Sequence, residues 1–152
     1  MRRVLLIFLF SAFIISCKKS HTISKPNSLI ADSALRYKGV PYKYGGNTRA
    51  GMDCSGLLFR AFSDVGKSFM RSSYEQAEVY PTVSKSKIEV GDLVYFKIGK
   101  TSRINHTGIV TKIVSRDVIL FLHSSSSAGV REDNLYSNYW KPKFVKVTRP
   151  SI

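Results

Sequence analysis

The hydrophobic period of this chain changes at Pro81, and that change limits the fold more than any other feature. Before Pro81 apolar residues recur at helical spacing; after it they form short strand-like runs. A first helix is expected over Ser28 to Lys38, with Leu29, Ile30, Ala34, Leu35 and Tyr37 on an approximate apolar face and Gly39 as its stop. Pro41 and the Gly45-Gly46 pair prevent it from running on. A second helix starts at Cys54, buries Leu57, Leu58, Ala61, Phe62 and Val65, and ends near Gly66. The third is expected over Arg71 to Tyr80, with Ser72 or Ser73 as cap and Gln76 as capping-box partner. Strands then follow: a turn at Gly91 feeding Leu93 to Phe96, then His106 to Val114, Val118 to His123, and Phe144 to Arg149 closing the sheet. Helices followed by antiparallel strands predict an α+β fold. The 152 residues suffice for one domain with a real core, and there is no internal repeat.

The start of the chain reads as a processing signal. Met1-Arg2-Arg3 is basic, and Val4 to Ile15 is almost unbroken apolar sequence, too short for the roughly 20 residues of a membrane span. Ile14-Ile15-Ser16-Cys17 resembles a lipobox, with Ile14 and Ser16 as variants of the usual Leu and Ala or Gly. Residues 1–16 are therefore expected to be a lipoprotein signal peptide, with an ordinary cleaved signal as the alternative. Cys17 is then the lipidated N-terminus, and the polar run to Asn27, with Pro26, is a tether in which His21 is merely solvated. The domain occupies residues 28–152. Lys18 and Lys19 follow the lipid site without an aspartate, which favours the periplasmic side of an outer membrane. With Cys17 lipidated, the second cysteine, Cys54, has no disulfide partner.

A net charge of +14 suits an anionic partner: nucleic acid, an acidic membrane surface, or a negatively charged polymer such as cell wall. The basic residues are scattered and no nucleic-acid motif is present, so a nucleic-acid partner is not expected. Processing removes only Arg2 and Arg3, so the basic character belongs to the domain.

Cys54 stands at the mouth of its helix, where exposed N–H groups and the positive end of the dipole favour a thiolate. A small buried cysteine that only packs is the bland alternative. Two histidines lie in the strand region. His106 begins one strand and His123 finishes the next, so a short turn between them makes the two neighbours at one sheet edge. If the Cys54 helix opens at that edge, Cys54 is a nucleophile, His106 its base and His123 the orienter of the His106 ring. Strand-end histidines with ordinary hydrogen bonds are the competing reading. A Cys/His/His zinc site is disfavoured because the spacing matches no compact zinc motif, so neither metal nor cofactor is expected.

The pattern resembles the NlpC-type (new lipoprotein C) family of cell-wall cysteine peptidases, which have a papain-like core. The resemblance lies in Tyr42-Lys43-Tyr44-Gly45-Gly46, Gly51-Met52-Asp53-Cys54-Ser55-Gly56 and Arg71-Ser72-Ser73-Tyr74-Glu75-Gln76. It continues in Val90 to Phe96, His106-Thr107-Gly108-Ile109-Val110 and His123-Ser124-Ser125-Ser126. The blocks stand in family order, and the resemblance covers roughly Ser28 to Arg149. The resemblance implies that Cys54 attacks a peptide carbonyl, with His106 as base and His123 as third residue. Tyr42 would support the oxyanion or the nucleophile, against a plain packing role. The Cys54 backbone N–H is the natural oxyanion donor. Asp53 and Ser55 would contact the free amino end of a substrate, although Asp53 as a helix cap alone is the simpler reading.

The activity so implied is hydrolysis of peptidoglycan stem peptides by a monomer, at the bond joining the γ-carboxyl of D-glutamate to a diamino acid. The alternatives are an amidase or acyltransferase on the same core, and a non-catalytic wall-binding lipoprotein.

Overall fold

The computed structural model describes residues 26–151, so the expected signal peptide, Cys17 and His21 lie outside the described residues. Three helices come first: α1 (Pro26–Leu35), α2 (Cys54–Asp64) and α3 (Ser73–Val79). A small hairpin of β1 (Asn47–Thr48) and β2 (Gly51–Met52) leads into α2. The other strands are β3 (Thr82–Val83), β4 (Leu93–Phe96), β5 (His106–Ile113), β6 (Ile119–Ser125), β7 (Gly129–Asn134) and β8 (Phe144–Thr148). They form one sheet in the order β3-β8-β4-β5-β6-β7, with every neighbouring pair antiparallel. The fold is α+β, as the change of period predicts.

Side chains alternate across a strand, and β4 shows what this does here. Leu93 and Tyr95 join the cluster beneath the helices, with Ile30, Leu57, Leu58, Ala61, Phe62, Ile109 and Leu122. Val94 and Phe96 point to the opposite face and pack with Val110, Phe121, Leu135, Trp140 and Phe144. A strand buried on both faces cannot show polar alternation, which is why β4 reads as a continuous apolar run. Four of the five residues expected on the apolar face of α2 are fully buried, and Val65 is packed against the same cluster.

The strand expected to close the sheet does not lie at its edge. β8 is inserted between β3 and β4, and β7 forms the far edge beside β6. The sequence of β7, Gly-Val-Arg-Glu-Asp-Asn, is mostly polar because an edge strand keeps part of its surface in water, so it carries no apolar period. α1 stops at Leu35, short of the expected end, and residues 36–39 turn into Gly39 at φ +88°. From there Gly39 N–H donates to Val130 O and Val130 N–H to Val40 O, both at 2.8 Å, which ties this loop to β7. The capping box expected on α3 does not form. Ser72 Oγ bonds Glu75 instead, and Gln76 Nε2 donates to Ser55 O at 3.0 Å and Met70 O at 2.7 Å, fastening α3 to the start of α2.

Candidate active site

Asp53 organises the first turn of α2. Its Oδ1 accepts the Gly56 N–H at 2.6 Å, and its Oδ2 accepts the Gly45 N–H at 2.8 Å. Arg71 grips the same carboxylate through both Nη atoms, each at 2.9 Å, and donates as well to Ser55 Oγ and Gly46 O. Burial alone would raise this carboxyl, but the hydrogen bonds from Arg71, Gly56 and Gly45 outweigh it and hold the group below the usual range. Gly56 lets the loop sit this close: a Cβ there would stand 2.0 Å from Gly46 O.

Cys54, the free cysteine among the described residues, follows Asp53 and is half-buried. Its N–H lies in the first helical turn, where backbone donors have no intrahelical acceptor. The thiolate expected from the helix start is not the resting form. Burial pushes the thiol up to about 11; the Thr107 N–H and the local amides pull it down, while Asp53 adds to the rise. The helix start is outweighed by desolvation.

β5 and β6 bring the two histidines together. His106 Nε2 lies 3.1 Å from His123 Nδ1, and the other His123 nitrogen, Nε2, lies 3.0 Å from Asp133 Oδ2 on β7. His106 is 8% exposed and His123 1%. Burial, and then the nearness of His123, push His106 down to about 3 despite the opposing pull of Asp133. Burial also lowers His123, against its bond to Asp133. Both rings are therefore neutral at physiological pH. Trp140 stacks on His106 with ring centres 5.3 Å apart and meets His123 edge-on at 4.8 Å.

Two cavities share Tyr42, Cys54 and Asn105 in their linings. One, of about 690 Å³, is lined by Asp53, Ser55, Arg71, Tyr74 and Arg103 among others. The other, of about 660 Å³, includes His106, His123, Asp133 and Trp140. Half-buried Tyr42 lines both cavities with Cys54, bridged to Met52, and burial, then Cys54 and Asp53, raise its phenol. Ser124, from the serine run, donates its hydroxyl to Met52 O at 2.7 Å. Among the described residues no cluster of His, Cys, Asp and Glu is arranged to hold a metal ion.

The model of the NlpC/P60 family matches residues 39–149 of this sequence. The chain belongs to the NlpC/P60 family. Among its curated relatives is the murein DD-endopeptidase MepS/murein LD-carboxypeptidase of Escherichia coli strain K12. That relative is 39% identical over 123 residues, which cover 80% of this chain and 62% of the relative. The chain thus spans less than two thirds of that protein. A second relative from the same strain, named probable endopeptidase NlpC, is 30% identical over 94% of this chain and 97% of its own length. A solved NLP/P60-family structure from Staphylococcus aureus superposes with a TM-score of 0.68 at 27% identity, covering 81% of this chain and 40% of that one.

Within this NlpC/P60 domain, two polar groups at the site escape a reading of the sequence. Arg71 opens one of the blocks that carry the family resemblance, but nothing local gives it a role, since its partners lie 16 to 25 residues away. Asp133 lies in a segment without strand period. Only the pairing of β6 with β7, which sets His123 opposite Arg131, shows that Asp133 is within reach of the histidine.

Proposed function

We propose that this chain is a peptidoglycan hydrolase, a cysteine endopeptidase that cuts stem peptides through an acyl-enzyme. The observation that carries the reading is a half-buried cysteine between two cavities, one of which also holds a hydrogen-bonded pair of neutral histidines. A substrate spanning both cavities sets its carbonyl against Cys54. His106, neutral and without a second proton at rest, takes the thiol proton as sulfur attacks, so the ion pair forms only with the transition state. The Cys54 N–H receives the developing oxyanion, and Tyr42 stands beside it. His106 then returns the proton to the leaving amine, and water hydrolyses the thioester. His123 orients the His106 ring throughout. The murein endopeptidase name of the first relative supports this class of substrate.

Asp53 bears on which bond is cut. Its carboxylate already accepts from Arg71, Gly45, Gly56 and Ser55, so it offers no unpaired charge to a free substrate amine. In this reading Asp53 and Ser55 form the floor of the cleft, and the substrate is a longer or cross-linked stem peptide. Within it, the γ-D-glutamyl–diamino acid bond and a cross-link are the competing targets. Mass spectrometry of muropeptides of defined structure separates them. New free amino and carboxyl ends inside the peptide support the endopeptidase; loss of the whole peptide from the sugar shows an amidase, and transfer to an added amine shows an acyltransferase.

The anchor belongs to the same proposal. Ile14-Ile15-Ser16-Cys17 supports cleavage after Ser16 and lipidation of Cys17, which would hold the domain on the periplasmic side of an outer membrane. Fatty-acid labelling of the full chain, lost in Cys17→Ala, is the expected result; equal labelling of the variant contradicts it.

A further inference from the structure

We propose that Asp133 is a positioning residue: its carboxylate fixes the tautomer of His123 and, through it, that of His106. The inference rests on reading Cys54 and His106 as nucleophile and base, and it concerns what keeps that base in its working form.

Three donors converge on Asp133. His123 Nε2 and Trp140 Nε1 both lie 3.0 Å from Oδ2, and Arg131 Nη2 lies 2.6 Å from Oδ1. Burial alone would raise the carboxyl, but the bonds from His123 and Trp140 outweigh it, so the group stays ionised. An ionised carboxylate only accepts hydrogen bonds. His123 must therefore carry its proton on Nε2. A neutral ring has one N–H, so His123 Nδ1 keeps its lone pair and accepts from His106. His106 in turn carries its proton on Nε2 and leaves Nδ1 unprotonated. That nitrogen is the one able to take the thiol proton. The direction of every bond in the series follows from the charge at its far end.

The surroundings allow no easy substitute for that charge. Trp140 holds Asp133 through its indole N–H while its ring lies against both imidazoles, so one side chain fixes three members of the series. The exposed partner, Arg131, takes the outer oxygen and leaves Oδ2 to the two buried donors. A surface ion pair with Arg131 alone would need neither of the Oδ2 bonds.

With an amide at position 133, an N–H can point at His123 instead. His123 is then free to place its proton on Nδ1 and donate to His106, which moves the His106 proton to Nδ1 and removes the base. In Ser-His-Asp enzymes the analogous Asp→Asn change costs about 10⁴-fold in kcat through the wrong tautomer. Here the carboxylate acts through one more ring, and a loss of about 10²-fold is expected.

The test joins kinetics to ¹⁵N NMR of the histidine rings in the substrate-free domain. Wild type is expected to show both His106 and His123 as Nε2–H tautomers. Asp133→Asn should shift His123 toward Nδ1–H and lower kcat on a defined muropeptide about 10²-fold, with KM within about threefold; Asp133→Glu should recover part of kcat. Wild-type His123 protonated on Nδ1 overturns the proposal, whether or not the variants fold. So does an Asp133→Asn protein with unchanged tautomers and near-normal kcat. A wild type that shows the Nε2–H series but hydrolyses no muropeptide would refute the functional reading and leave the tautomer assignment standing.

Discussion

His106 and Cys54 are both kept uncharged by burial before substrate arrives, and this gives the pH dependence its sign. In the proposed mechanism only neutral His106 accepts the thiol proton, and its protonation is pushed from the ordinary histidine value of 6.5 down to about 3. The value of kcat/KM on a defined muropeptide is therefore expected to stay level as pH falls through 6.5, and to drop only well below 5. An acid limb centred at 6.5 or above would contradict this account of the base. Cys54, His106 and His123 were legible in the sequence because each is a rare residue type at the end of a predicted element. Their partners were not. Arg71 and Asp133 are common residue types whose meaning comes from contacts made across the fold, Arg71 to Asp53 at 2.9 Å and Asp133 to His123 at 3.0 Å.

The junction between the Gly45-Gly46 loop and the first turn of α2 is the element that positions Cys54. Gly56→Ala places a methyl group 2.0 Å from Gly46 O, against backbone that has no flexible end to move aside. Overpacking of this kind costs about 1–3 kcal/mol, read as a lowered midpoint in thermal or urea unfolding; an unchanged midpoint would mean that the loop is not docked as described. Arg71→Ala should cost about 1.5–3 kcal/mol by leaving the buried Asp53 carboxylate without its charged donor. A double-mutant cycle with Asp53→Asn measures that coupling, and additive losses would contradict it. At this scale the sequence shows α2 well, since its apolar face packs as one stripe on the sheet. It does not show β7, an edge strand with polar composition, nor the insertion of β8 between β3 and β4. Strand order depends on pairings between segments far apart in the chain, which no local period records.

For the whole molecule, the lowered histidines and carboxylates act in the same direction. His106 and His123 bind protons more weakly in the folded domain than in the unfolded chain, so their stabilising contribution is complete above 6.5 and is lost as pH falls toward about 3. Asp53, Asp64, Glu132 and Asp133, also lowered, add a loss over the acid range below the ordinary carboxylate values. The urea midpoint is therefore expected to fall steadily from pH 6.5 downward; a midpoint constant from pH 7 to pH 4 would contradict these assignments. Cys54 lines both cavities, one of which also holds the His106–His123 pair and the other Asp53 and Arg71, so the central claim can be tested at that residue. Purified peptidoglycan incubated with wild type and with Cys54→Ala, with folding of both checked by circular dichroism, is the direct measurement. Soluble peptide fragments released by wild type and none released by a folded Cys54→Ala variant are the predicted result; equal release by both would contradict the account.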